Sequence, residues 1–327
     1  MKKGFVAFIV KIILILAVAF LAYWGLFYFL WLSPICPNAY DDSYQHALLL
    51  QYNALLDEKR DNEVVVFGAS YVPFGIDTAV LGELTGKEVQ TLGVEADMGT
   101  RYLIDVLKKT LKPGDVAVYM LGGSNSYYED YTVISCALES DKTKLKEYFD
   151  ARSSVQVYYR DTMIWRKLYS LTVGKPVEFV RTKLSKKEQV YSLDSFDEKG
   201  NMTLLREGTL IDVSNYEPEK LDFENVDHTN MDVVNKFSKW CKKNDITFCI
   251  CYGMLIDELV GSDEKEIEKY HEDVTEYMKA PVLLTPSDSF MDRSFFYNHI
   301  YHLNSEGAKE YSRILGEALS DFLDNKD

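Results

Sequence analysis

Twenty-one consecutive residues without a charge, Ile12 to Leu32 (IILILAVAFLAYWGLFYFLWL), limit what this chain can fold into more than any other feature. About 20 apolar residues cross a hydrocarbon core as a helix. Tyr23, Trp24, Phe27, Tyr28, Phe29 and Trp31 crowd the far half of the run, as in an interfacial aromatic belt. Lys2, Lys3 and Lys11 precede it, and Asp41 and Asp42 follow. The positive-inside rule then predicts a cytoplasmic N-terminus and an extracytoplasmic body. A cleaved signal peptide is the alternative. It calls for a shorter apolar region and a small-residue cleavage site, whereas the run ends in Trp31-Leu32-Ser33-Pro34-Ile35-Cys36. The reading is a single uncleaved anchor within residues 1–37, contacting membrane lipid through 12–32, and one domain over 38–327. No second long apolar run follows.

The body is acidic. The chain of 327 residues holds 36 Lys+Arg against 51 Asp+Glu, a net of −15, and residues 1–40 contain three of the bases and none of the acids. A nucleic-acid backbone is therefore excluded as a partner, because phosphate binding needs a basic surface. Five cysteines are too few for a disulfide-dense fold. Cys249 and Cys251 lie two apart on a predicted strand, poorly placed to bridge each other, and read as core packing.

Short β-branched runs alternate with helical patterns. Glu63–Phe67, Glu88–Leu92, Asp115–Leu121 and Ile246–Tyr252 read as strands, with Pro281–Leu284 as a fifth. Helices are predicted over 41–60, along the Tyr102–Leu111 face, over 229–243 and 263–279, and from a cap at Asn304 or Ser305 to the C-terminus. This alternation predicts an α/β fold, a three-layer α/β/α sandwich around a mostly parallel sheet, with ligands beyond the carboxyl ends of the strands. Residues 126–227 break the rhythm and read as an insertion, with a hairpin over 191–207 around Lys199-Gly200-Asn201. Asn201-Met202-Thr203 also matches a glycosylation acceptor, a short pattern that recurs by chance.

Three segments carry chemistry. Ser70 follows the first strand after Gly68, a place for a nucleophile or a helix cap. Asn125 follows the third strand in Gly122-Gly123-Ser124-Asn125, where an amide donor suits an oxyanion or simply closes a turn. His302 stands before the last helix, where a histidine can be a general base. His299 and His302 lack the Asp, Glu or Cys neighbours of a metal set.

Together VVVFGASYVPFGID, VAVYMLGGSNS and YHLNSEG resemble the first, Gly-x-Asn and histidine blocks of the SGNH, or GDSL-like, hydrolase superfamily, over about 61–125 and 229–323. The resemblance implies a flavodoxin-like sandwich and a serine nucleophile for ester hydrolysis or acyl transfer. It makes Ser70 the nucleophile, His302 the base and Asn125 an oxyanion donor beside the Ser70 N–H. A further backbone N–H would come from Ala96, with Gly93 as runner-up. The family's acid, three or four residues before the histidine, is missing, because those positions are His299 and Asn298. Asn298 is then a possible orienter, and Asp292 or Asp288 an alternative acid. An Asp-to-Asn change in a serine triad costs about 10⁴ in turnover, so a Ser70–His302 dyad and an inactive relative both stay open. The anchored architecture resembles proteins of alginate O-acetylation and teichoic-acid D-alanylation. That implies a cell-surface polysaccharide as substrate and a multipass membrane acyltransferase as partner, and such chemistry calls for no metal or organic cofactor.

Overall fold

The computed structural model describes residues 2–32, 38–123, 125–152, 165–167, 169–177, 180, 190–208 and 210–325. In chain order the main elements are helix α1 (Lys2–Leu32), α2 (Ala47–Leu56), strand β1 (Glu63–Phe67), α3 (Tyr71–Gly75), α4 (Thr78–Thr85), β2 (Glu88–Leu92), α5 (Thr100–Thr110), β3 (Val116–Leu121), α6 (Tyr131–Ala137) and α7 (Lys142–Ala151). They continue with α8 (His228–Lys243), β4 (Thr247–Tyr252), β5 (Leu255–Ile256), α9 (Glu264–Tyr277), β6 (Phe290–Met291), β7 (Phe296–His299), β8 (His302–Leu303) and α10 (Ser305–Asp324).

The chain divides into two compact units. One joins residues 1–41 to 139–187, and the other joins 42–138 to 188–327. The break in rhythm read over 126–227 therefore corresponds to two different things. Only its middle groups with the N-terminal segment, while its flanks pack with the α/β body. In the first unit, α1 is long and apolar enough to cross a membrane, with Gly4–Leu26 as its most apolar stretch at a mean hydropathy of 3.0.

In the second unit four parallel strands run in the order β2-β1-β3-β4. All five residues of β1 and all six of β3 are buried. Successive side chains point to opposite faces, so each strand supplies both layers. Val64, Val66, Val116, Val118, Cys249 and Cys251 pack on one face with Leu81 of α4 and Tyr311, Leu315 and Leu319 of α10. On the other, Phe67 packs edge-on against Phe237 of α8 and at a tilt against Tyr119 and Phe248. Each fully buried Val or Phe contributes about 1.5–3 kcal/mol. The three-layer sandwich with its mostly parallel sheet is thus the observed fold. Cys249 and Cys251 lie in its core, and Cys136 and Cys241 are also buried.

Differences from the sequence reading are local. Pro281–Leu284 meets β4 through the Ile250–Val282 bridge and two backbone hydrogen bonds of 2.8 Å, too short a pairing for a full strand. The hairpin over 191–207 reduces to one antiparallel bridge, Phe196–Met202. Asn201 is buried, accepting from the Thr91 N–H (3.0 Å) and Oγ1 (2.9 Å), which removes its amide from the reach of a glycosylating enzyme. Asn304, rather than Ser305, caps α10, accepting from the Gly307 N–H at 2.9 Å.

β1 lies between β2 and β3, so the chain crosses back over β1 between its second and third strands. Such a switch point opens a crevice at the carboxyl ends of the strands. The loops that leave β1 and β3 there carry Ser70 and Asn125.

Candidate active site

β1 ends at Phe67, and Ser70 stands at the N-terminal boundary of α3, where its carbonyl accepts from the Phe74 N–H at 3.3 Å. β7 and β8 form a tight antiparallel pair that presents His302 at its second strand. These elements place the His302 Nε2 2.9 Å from the Ser70 Oγ, across 232 residues of sequence. Phe74 lies flat on the imidazole, with centroids 4.0 Å apart and planes 8° from parallel. His302 is 8% exposed.

The other ring nitrogen, Nδ1, meets the Asn298 Oδ1 at 3.1 Å and the Tyr191 hydroxyl at 3.3 Å. Asn298 in turn donates its Nδ2–H to the Tyr191 oxygen at 3.0 Å. That bond turns the amide so that its carbonyl oxygen faces the histidine. An acceptor at Nδ1 selects the tautomer protonated there and leaves Nε2 a lone pair for the serine proton. Asn298 can therefore orient the base. It supplies no negative charge for the imidazolium.

Burial pushes the His302 pKa down to about 3, with His299 and the Arg206 cation adding in the same direction. The ring is neutral at pH 7, as a base must be, but a weak base. A Ser70–His302 enzyme is expected to hold kcat/KM nearly constant from pH 7 to pH 5, where a histidine of ordinary pKa 6.5 loses roughly 25-fold. A pH–rate profile checks this. Linkage has the same origin. Below about pH 6.5 the unfolded chain takes a proton that folded His302 refuses, so stability declines as pH falls from there toward about 3.

The expected oxyanion donors fare differently. Asn125 donates its amide protons to the Tyr119 hydroxyl (2.6 Å) and the Met120 carbonyl (2.9 Å), while its Oδ1 accepts from the Tyr71 hydroxyl. Both amide protons are spent within the protein, bracing the turn beside Ser70. Gly93 donates its N–H to the Gln51 Oε1 at 2.9 Å and is not free for a substrate. Its φ of 111° and the Gly68 carbonyl, 2.1 Å from where a Cβ would stand, explain why glycine is there. Among the described residues nothing accepts from the N–H of Ala96 or of Ser70.

Neither alternative acid bonds His302. Asp292 is exposed and caps its own turn, accepting from the Ser294 N–H at 2.8 Å. Asp288 does the same for Thr285, at 2.8 Å to the N–H and 2.7 Å to the hydroxyl. Among the described residues, the hydrogen-bonding partners of His302 are Ser70, Asn298 and Tyr191.

Three residues of the site escaped the sequence reading. Phe74 lay inside a quoted motif, but its stacking had no sequence signal. Tyr191 and Arg206 fall in the stretch read as an insertion. Arg206 is buried and donates to three carbonyls, those of Leu303 (Nε, 3.3 Å), Leu204 (Nη1, 3.1 Å) and Phe74 (Nη2, 3.3 Å). Its guanidinium also lies 5.4 Å from the Phe74 ring centroid. It thereby ties the Ser70 turn to the His302 strand. Burial lowers its pKa to about 10, still charged at neutral pH.

No family model matches the chain, and no curated protein matches it. Among solved structures, the fold is similar to a protein of Desulfitobacterium hafniense described as lipolytic and of the G-D-S-L family. The identity is 13%, the TM-score 0.38, and the match covers 79% of this chain and 99% of that one. It is also similar to the protein YxiM of Bacillus subtilis, at 10% identity and a TM-score of 0.37, covering 81% of this chain and 58% of that one.

Proposed function

We propose that this chain is a membrane-tethered serine acyl esterase or O-acyltransferase of SGNH type. The observation that carries the proposal is the 2.9 Å contact between the Ser70 Oγ and the His302 Nε2, with an acceptor amide on the opposite ring nitrogen. His302 takes the Ser70 proton as Oγ attacks an ester or thioester carbonyl, and the tetrahedral oxyanion collapses to acyl-Ser70 with loss of the leaving group. His302 returns its proton to that group. A hydroxyl of a cell-envelope polysaccharide, or water, then gives its proton to His302 and attacks the acyl carbon, which regenerates Ser70. The N–H groups of Ser70 and Ala96 serve the oxyanion. Asn125 joins them on releasing Tyr119 or Met120.

The helix Lys2–Leu32 supports the tether. In this reading its N-terminus is cytoplasmic, the body lies outside, and a multipass acyltransferase delivers the acyl group. The test is to treat the full-length protein in detergent with a fluorophosphonate and map adducts by mass spectrometry. An adduct on Ser70 supports an activated serine.

A second reading has its own support. The weakly basic His302, the missing carboxylate and the fully engaged Asn125 amide suit a non-catalytic domain that binds polymer or a membrane partner. A folded protein that leaves the probe unreacted and still binds polysaccharide would favour it.

A further inference from the structure

The segment 152–187 inverts the charge of the molecule. It carries nine Lys+Arg and two Asp+Glu, a net of +7, while the remaining residues carry 27 against 49, a net of −22. Within it the described residues 165–167, 169–177 and 180 are helical, with a π-helical turn at Ser170–Gly174. Trp165, Tyr169, Val173, Val177 and Val180 recur at intervals of four, four, four and three, and all are exposed, Trp165 by 66% and Tyr169 by 64%. That spacing gathers them into one stripe. An exposed stripe with aromatics at one end and cationic neighbours is the composition of a helix lying in a membrane interface.

The same unit ties this segment to the chain that leaves α1. Lys167 pairs with Glu139 at 2.9 Å, both buried, and the other Glu139 oxygen accepts from the N–H groups of Ala39 (2.8 Å) and Tyr40 (3.1 Å). Ser170 Oγ donates to the Ala39 carbonyl at 3.4 Å, and Lys175 Nζ to the Asn38 carbonyl at 3.5 Å. Asn38 is six residues beyond Leu32, a reach of at most about 20 Å even when fully extended. On the reading of α1 as an anchor, the contacts at Asn38 and Ala39 therefore keep the segment within reach of the bilayer surface.

We infer that the described residues 165–167, 169–177 and 180 form a second membrane contact, which seats the stripe of Trp165, Tyr169, Val173, Val177 and Val180 in the headgroup layer of an anionic phospholipid bilayer. The inference rests on the reading of α1 as a membrane anchor. Charge complementarity selects the lipid. A +7 segment is attracted to anionic headgroups, and the rest of the chain, at −22, is repelled by them. Two attachments, one spanning and one interfacial, restrict the swing of the basic unit about its tether.

The test uses full-length protein in vesicles of phosphatidylcholine alone or mixed with phosphatidylglycerol. Cys36→Ser is the background, and single substitutions L16C, Y169C, V177C and L210C carry an environment-sensitive fluorophore. Leu210 is an exposed apolar residue of the other unit. The expected result is lipid-like emission at 16 in both vesicles. Positions 169 and 177 become several-fold brighter than 210 when phosphatidylglycerol is present, and spin-labelled lipid quenches them. Emission at 169 and 177 equal to that at 210, with 16 still lipid-buried, overturns the inference and leaves the anchor standing. Bright labels that spin-labelled lipid fails to quench mean a protein partner covers the stripe, which also overturns it. Equal brightness in both vesicles removes anionic lipid as the partner and does the same. Water-like emission at 16 removes the anchor itself, and the inference with it.

Discussion

On the proposed reading, Ser70→Ala and His302→Ala are each expected to lower acyl turnover by on the order of 10⁴-fold or more, with the fold intact. The expectation follows from the dyad acting as one unit, since without either member neither attack nor proton transfer proceeds, and the residual rate comes from oxyanion stabilisation and binding. Asp292→Asn, by contrast, leaves turnover within about two-fold, because its carboxylate is spent on the Ser294 N–H. Hydrolysis of a small activated ester by the full-length protein measures all three. Turnover by Ser70→Ala equal to the parent moves the chain to the binding reading.

Asn298→Asp restores a charge where the His302 Nδ1 now meets an amide oxygen at 3.1 Å. A carboxylate at that distance raises a histidine pKa by about 1–3 units, so the acid limb of the pH–rate profile moves up from its low position. It also stabilises the imidazolium that forms as the serine attacks. The full effect of such a carboxylate in serine triads is about 10⁴. Asn298 is exposed, and solvent screening there reduces the expected gain in kcat to on the order of 10²-fold. A rise in kcat together with the shifted limb marks position 298 as electrostatic. A fall in kcat with an unmoved limb marks it as purely structural. Tyr191 holds the amide in place by accepting from it, so Tyr191→Phe is a natural companion variant.

The sheet was legible because its strands are short β-branched runs separated by turns, and burial on both faces demands near-continuous apolar sequence, as in Val64–Phe67. Ser70 and His302, each open to a cap or a structural reading alone, were singled out only by the motif blocks taken together and their resemblance to the SGNH blocks. Tyr191 and Arg206 were not. Their work is to bond a neighbour's nitrogen or carbonyl across about a hundred residues, at separations of 107 for Tyr191 to Asn298 and 97 for Arg206 to Leu303. Residue type carries no trace of such pairings. Gly93 misled for a related reason. Glycine beside a site suggests a free N–H, whereas here it permits backbone to approach backbone, and Gln51 has taken the donor.

In the proposed reading, the clamp made by Arg206 bears on when Ser70 becomes reactive. Its guanidinium ties Phe74 to Leu303, and the dyad it braces joins residue 70 to residue 302 of 327. During synthesis Ser70 emerges early and remains an ordinary alcohol. Its base, the clamp's last carbonyl and the helix that anchors both follow at least 232 residues later in the chain. Activation of Ser70, in the proposed reading, thus waits for His302 to be made. A truncated or stalled chain carries the serine without the means to use it.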